Sequence, residues 1–179
     1  MSEPRASSSD PYVRPQQGDA WAAEAASQGQ VGTQRLIAVD TIPASDEVRD
    51  ALHLQPADWV VVRRRLILAD DQPVEIAESY YPATIATGTP LAENKKIRGG
   101  AVRVLAEAGH PLDESIEQVT AARPSPEEAA LLQVREDEPL IIVRRASAPT
   151  GRPPAEYAVN RMVASRAAPL EYRMRNTAK

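Results

Sequence analysis

The sequence contains no cysteine and no phenylalanine, and only three of its 21 basic residues are lysines. Without cysteine, the chain can have neither a disulfide framework nor thiolate chemistry. No apolar run approaches the roughly 20 residues that cross a bilayer. The first 19 residues, "MSEPRASSSDPYVRPQQGD", also lack the apolar centre of a signal peptide. We therefore expect a cytoplasmic protein with no membrane partner, whose core is built from valine, leucine, isoleucine, tyrosine and tryptophan.

Other absences concern charge and catalysis. The net charge is -4, which argues against this chain binding nucleic acid directly, because such binding relies on many lysine and arginine contacts to phosphates. The only histidines, His53 and His110, do not form a metal-ligand spacing, so no metal site or cofactor is predicted. No Ser-His-Asp order or nucleophile-elbow motif occurs, and no catalytic residue is assigned.

The pattern along the chain predicts one globular domain, at residues 33–175, between flexible tails at 1–32 and 176–179. One helix is expected in the first tail, at "DAWAAEAASQG". Strand and helix patterns alternate through the domain, which predicts an α+β fold with helices packed on an antiparallel sheet. Strands are predicted at or within 33–42, the hairpin 58–82, 111–124, 139–148, 153–163 and 169–175. Helices are predicted at 45–54, 99–109 and 125–134, with a helical turn at 82–87.

The two halves of this domain share an ordered set of short motifs at an offset of 80 or 81 residues. We interpret the set as an internal duplication with a pseudo-twofold axis, although common elements can also match by coincidence. A ligand site is then expected between the halves. The matching pairs are Ser45 and Ser125, Leu52 and Leu132, Val62-Arg63-Arg64 and Val143-Arg144-Arg145, and Gln72-Pro73-Val74-Glu75 and Pro153-Pro154-Ala155-Glu156.

Three consecutive arginines occupy the first strand of the hairpin "VVVRRRLILADDQPVEIAESYYP". Since side chains alternate along a strand, Arg63 and Arg65 share one face and Arg64 takes the other. A buried guanidinium needs a partner or an anion, so Arg65, with Arg63, is a candidate for binding a carboxylate or phosphate. The alternative is cross-strand pairing with Glu75 or Glu78 on a solvated face.

Further candidates lie outside this run. Arg98-Gly99-Gly100 begins a predicted helix, where free N–H groups can bind an anion, but the same pattern also suits an ordinary helix start. Glu78 and Glu156 could bind ligand hydroxyls or an amine, or could neutralise neighbouring arginines. Tyr80 is a weaker candidate, because a core with few aromatic residues also needs it.

The ordered motifs resemble one known family. A capped helix, an arginine-bearing strand and "LADDQPVEIAESYYP", followed by "SPEEAALLQVREDEPLIIVRRAS" and "GRPPAEY", are similar to the UTRA ligand-sensing domain of GntR-type transcriptional regulators of the HutC subfamily. The resemblance covers residues 33–175. It implies a chorismate-lyase-like fold, a homodimer, and a pocket for a small, usually anionic effector.

Two features depart from that family. Only about 32 residues precede the first predicted strand, with no helix-turn-helix pattern, so we expect no DNA-reading part in this chain. Sugar-phosphate sensors of the family carry Arg-x-Arg before "LAD", where this sequence has Arg65 and Ile67. This predicts a less highly charged or partly apolar effector. An enzyme of lyase, cyclase or isomerase type acting on a small anion, and a purely structural dimerisation domain, remain as alternative functions.

Overall fold

The computed structural model describes residues 6–7, 10–14 and 20–173 of the chain. The predicted ends of the tails, at 1–5 and 174–179, lie outside the described residues. In chain order the strands are β1 (Ala6–Ser7), β2 (Gly32–Pro43), β3 (Trp59–Ala69), β4 (Gln72–Pro82), β5 (Glu114–Ala122), β6 (Leu140–Ala148), β7 (Glu156–Val163) and β8 (Tyr172–Arg173). The α-helices are α1 (Ala20–Ser27), α2 (Asp46–Leu52), α3 (Ala83–Ala86), α4 (Gly100–Glu107) and α5 (Pro126–Leu132).

Six of the strands form one antiparallel sheet in the order β2-β3-β4-β7-β6-β5, while β1 and β8 form a separate two-stranded pair. The predicted α+β fold, an antiparallel sheet with helices packed on it, is thus confirmed. Among the described residues, no helix is both long enough and apolar enough to span a membrane.

The strand order is the same when read from either edge of the sheet. One half contributes β2, α2, β3 and β4, and the other contributes β5, α5, β6 and β7, with β4 and β7 meeting at the centre. The predicted duplication would produce this arrangement, but it stays a prediction, since topology alone does not reveal common descent.

One face of the sheet is packed by α2 and α5, and we call it the α2/α5 face. Ser45 and Ser125 cap these two helices, and at Ser125 the bond from Glu128 back to the cap completes a capping box. The apolar sides of both helices bury against the central strands, which form the main core. Its buried members are Val48, Leu52, Val60, Leu66, Ile76, Leu132, Leu140, Ile142, Tyr157, Val159 and Val163.

The opposite side, the α1/α4 face, is covered by two separate groups of elements. At one end, α3, α4 and the short 3-10 helix Pro90–Ala92 pack on Val61 and Tyr81. At the other end, α1 packs on the sheet through Trp21, which touches a cluster containing Ile67 and Ala77. The middle of this face, between the two groups, therefore carries the polar and charged side chains described below.

Helix α1 belongs to the segment predicted as a tail, yet it is closely packed. The indole Nε1 of Trp21 donates to the carbonyl of Leu68 at 2.9 Å, and Ala25 is fully buried. The predicted domain boundaries stay a prediction.

Candidate ligand site

The three consecutive arginines have three different environments. Arg63 and Arg65 lie on the α1/α4 face, and Arg64 lies on the α2/α5 face. There Arg64 donates to Glu127 at 2.6 Å and forms an ion pair with Glu78 at 3.3 Å. Arg64 is therefore held by two carboxylates at the interface between the sheet and α5.

Arg63 is buried and bound to backbone carbonyls. Its guanidinium donates to the carbonyl oxygens of Leu91 and Glu93, both at 2.8 Å, and of Lys95 at 2.7 Å. Burial lowers the pKa of this guanidinium below its ordinary value. Because these bonds fasten the segment 90–95 onto the sheet, the role of Arg63 in the structure is to position that segment.

Arg65 is only partly satisfied. Its guanidinium donates to Ser79 Oγ at 3.1 Å and to Gln34 Oε1 at 3.5 Å. Its Nε is buried and has no hydrogen-bond partner among the described residues. A buried N–H without an acceptor is costly, so this group is poised to bind an incoming anion.

Small side chains surround Arg65 on the two central strands. Ala77 pairs with Arg65 across β3 and β4, and with Asn160 across β4 and β7. One step along, Ser79 pairs with Ala158. We call Ala77, Ser79, Ala158 and Asn160 the floor, because both alanines are only 3% exposed and none of the four extends far from the sheet.

Two carboxylates share the α1/α4 face with the floor. Glu156 is buried and accepts a hydrogen bond from the Tyr81 hydroxyl at 2.9 Å, and burial followed by this neighbouring charge raises the pKa of Tyr81. Burial also raises the pKa of Glu75 to about 7, and Glu24 of α1 adds to that rise, while Arg65 and Arg145 oppose it. Glu75 can therefore change its protonation near neutral pH.

Two of the predicted site residues, Glu78 and Tyr80, lie on the α2/α5 face instead. Glu78 forms ion pairs with Arg64 and, at 2.8 Å, with Arg161, and it accepts from the Tyr80 hydroxyl at 3.1 Å. Both residues therefore point away from Arg65, on the other side of the sheet.

A β-bulge explains this placement. The register of β3 and β4 shifts between Ile67 and Leu68, so Ile67 pairs with Glu75. A hairpin without the bulge would pair Arg63 with Glu78, on the face of Arg65. Because a one-residue shift exchanges the faces of a strand, the bulge moves Glu78 away and brings Glu75 in.

The remaining predicted residues are spread around the same face. Ile67 is buried under Trp21 of α1. Arg98 lines a separate cleft of about 510 Å³ together with residues such as Lys95 and Lys96, and this cleft shares no lining residue with the floor. Gly99 and Gly100, with φ of 80° and 77°, form the start of α4 beside it.

Sequence reasoning missed four residues of the α1/α4 face as site candidates: Glu75, Ser79, Arg145 and Asn160. Glu75 and Arg145 both occur in the 80-residue and 81-residue repeat pairs, which was the available signal. No group of histidine, cysteine, aspartate and glutamate side chains within the described part of the chain could hold a metal ion. What the face offers is guanidinium groups, carboxylates and a floor of short side chains, which suits a small polar ligand.

Comparison with known proteins identifies the family. Residues 27–168 match the UTRA domain, so the chain belongs to the UTRA domain family. An HTH-type transcriptional regulator of Streptomyces coelicolor is 33% identical over 124 residues, covering 68% of this chain and 46% of that protein. A second such regulator, from Rhizobium meliloti, is 27% identical over 140 residues, covering 76% of this chain and 55% of that protein. The chain spans about half the length of these curated relatives.

Solved structures share the fold. The effector domain of PhnF from Mycobacterium smegmatis matches with a TM-score of 0.71 and 20% identity, covering 82% of this chain and 89% of that one. The C-terminal domain of the histidine utilization repressor from Pseudomonas syringae matches with a TM-score of 0.68 and 23% identity, covering 82% of this chain and 99% of that one. At these identities the likeness shows the fold alone.

Proposed function

We propose that this chain is the effector-binding part of a GntR/HutC-type transcriptional regulator, and that its effector binds over the floor of the α1/α4 face. The observation that carries this proposal is the buried, unsatisfied Nε of Arg65 beside Ala77. Arg65 binds an acidic group of the effector, and the carboxylates of Glu75 and Glu156 bind hydroxyl or amine groups.

The surroundings of Arg65 suggest the character of the effector. Ile67, where sugar-phosphate sensors of the family carry a second arginine, is buried against Trp21 and contributes apolar surface rather than charge. The effector is thus a small anion that is partly apolar. Nucleic acid is not contacted by this chain itself, and two copies form a homodimer, as the family resemblance implies.

An enzymatic function is the second candidate, and one observation favours it. The raised pKa of Glu75, about 7, suits a group that takes and returns a proton at neutral pH. In this alternative, Arg65 orients an anionic substrate and Glu75 acts as general acid or base.

A thermal-shift screen of small anionic metabolites tests the proposal. A sensor or an enzyme is stabilised by at least one member, because ligand binding to the folded state raises the melting temperature. Incubation with that ligand, followed by mass spectrometry, should return it unchanged if the chain is a sensor, whereas turnover favours the enzyme.

Two further results would contradict the proposal. If no member of a broad panel stabilised the chain, a purely structural dimerisation domain would be favoured. If the chain alone gave a sequence-specific band shift with DNA, the assignment of no direct nucleic-acid contact would be wrong.

A further inference from the structure

A second guanidinium on the α1/α4 face is also unsatisfied. Arg145 of β6 is only 6% exposed, and its Nε is buried without a hydrogen-bond partner among the described residues. Its ion pair with Glu117 of β5 spans 3.6 Å. Glu117 is itself held by the Tyr172 hydroxyl, which donates to Oε1 at 2.7 Å. Glu117 therefore leaves part of the hydrogen-bonding capacity of Arg145 unused.

The floor lies between Arg65 and Arg145. Arg65 pairs across the strands with Ala77, and Arg145 pairs with Ala158. β3 and β6, which carry the two arginines, are separated by β4 and β7, so their backbones are about 14 Å apart. Both guanidiniums nonetheless act on Glu75 of β4, whose pKa each of them lowers. Both positive charges are thus close enough to the floor to be felt there.

The chemical groups of this face occur in related pairs. Arg65 and Arg145 are 80 residues apart, while Ala77 and Ala158, and likewise Glu75 and Glu156, are 81 apart. Because β4 and β7 run antiparallel at the centre of the sheet, each pair places one member on either side of the floor. A site with similar groups at both ends suits a ligand with similar groups at both ends.

We propose that this site binds a dicarboxylate, with one carboxylate on Arg65 and the other on Arg145. Guanidinium groups bind a carboxylate through two parallel N–H bonds, and such a ligand supplies the acceptor that each buried Nε lacks. The short side chains of the floor leave room for the connecting carbon chain. Glu117 does not compete for this space, since it approaches Arg145 from β5, on the side away from the floor. The inference rests on the proposed function and specifies its ligand class.

The test is isothermal titration of the intact chain with malonate, succinate, glutarate and adipate, and with butyrate and valerate as matched monocarboxylates. At least one dicarboxylate is expected to bind about tenfold more tightly than the monocarboxylates, a ratio that corresponds to about 1.4 kcal/mol. Arg145→Gln should abolish this advantage and leave monocarboxylate binding unchanged. Arg145→Lys, which keeps the charge without the planar fork, should retain part of it.

The matched control is Arg144→Gln. Arg144 precedes Arg145 but points to the other face, where it donates to Glu47 at 2.9 Å, so dicarboxylate affinity should not change. Circular dichroism should show that every variant is folded before titration.

Equal affinity for both ligand series, an unchanged advantage in Arg145→Gln, or no binding of any dicarboxylate would overturn the inference. The proposed function fails separately. It would survive any of these results if another metabolite bound in a manner that required Arg65.

Discussion

Neighbouring residues of the same type have different roles in this protein because a strand alternates its faces. Arg63 fastens the segment 90–95 through backbone carbonyls, Arg64 pairs with carboxylates at α5, and Arg65 is left with an unsatisfied Nε beside the floor. The number of arginines in a run therefore says little about a basic surface. What matters is which acceptors the fold brings to each guanidinium.

Arg63→Leu should destabilise the protein rather than weaken ligand binding directly. The substitution leaves the carbonyls of Leu91, Glu93 and Lys95 without their donor, and we expect a loss of about 2–4 kcal/mol in the free energy of unfolding. Urea denaturation measures this loss. Arg64→Leu, which breaks partly exposed ion pairs, is the control and should cost about 1 kcal/mol. Equal losses in the two variants would contradict a positioning role for Arg63.

Glu75 should make stability depend on pH. Its pKa in the folded protein, about 7, is raised above the ordinary 4.5, so the folded state holds the proton more tightly than the unfolded chain. The stabilising effect is fully present below about pH 4.5 and is lost as the pH rises through 7. Relative to Glu75→Gln, the wild type should lose roughly 1–3 kcal/mol between about pH 5 and pH 8.

Denaturation of both proteins across this range measures the difference. Glu136→Gln, at an exposed position, is the matched control and should run parallel to the wild type. A constant difference between wild type and Glu75→Gln at every pH would show that Glu75 does not titrate in this range.

At the scale of elements, local sequence signals predicted most of the structure. Ser45 and Ser125 mark the starts of α2 and α5, and Asp70-Asp71, both with positive φ, form the hairpin turn where the sequence suggested it. These features depend on residues adjacent in the chain, which explains why the sequence reveals them.

Two features depended on contacts that local patterns do not encode. The bulge at Ile67 and Leu68 changes which residues of β4 share a face with Arg65, and Glu78 and Tyr80 were assigned to the site without it. The packing of α1 onto the sheet depends on Trp21 reaching the carbonyl of Leu68, 47 residues away. Candidate residues on β3 and β7, such as Arg65 and Glu156, could be placed on the site face, whereas those on β4 could not.

Gly32→Ala tests the packing of α1. A β-carbon at Gly32 would lie 2.8 Å from Ala25 Cβ and 2.9 Å from Trp21 Nε1, so the helix must shift. We expect a loss of about 1–3 kcal/mol in the free energy of unfolding. In a Trp59→Phe background, the fluorescence of Trp21 should also move to longer wavelength as the indole gains contact with water.

Thr33→Ala, at the exposed next position of β2, is the control for Gly32→Ala and should leave the fluorescence unchanged. An unshifted spectrum in Gly32→Ala would indicate that α1 is not held against the sheet as described.

At the scale of the whole molecule, the two faces of the sheet divide the work. On the α2/α5 face each half binds the other, since Arg64 of β3 pairs with Glu127 of α5 and Arg144 of β6 pairs with Glu47 of α2. That face also holds the main core. The α1/α4 face carries the unsatisfied guanidiniums and is the side available to a ligand.

The central claim is that the effector binds on the α1/α4 face through Arg65. The most direct measurement is titration calorimetry with a ligand from the stabilisation screen, comparing Arg65→Gln with Arg64→Gln. These neighbours differ in the face that they occupy, so their comparison separates the site from general effects of charge. We predict that Arg65→Gln weakens binding by at least about tenfold, or 1.4 kcal/mol, and that Arg64→Gln leaves the affinity unchanged. Unchanged affinity in a folded Arg65→Gln variant would contradict the account.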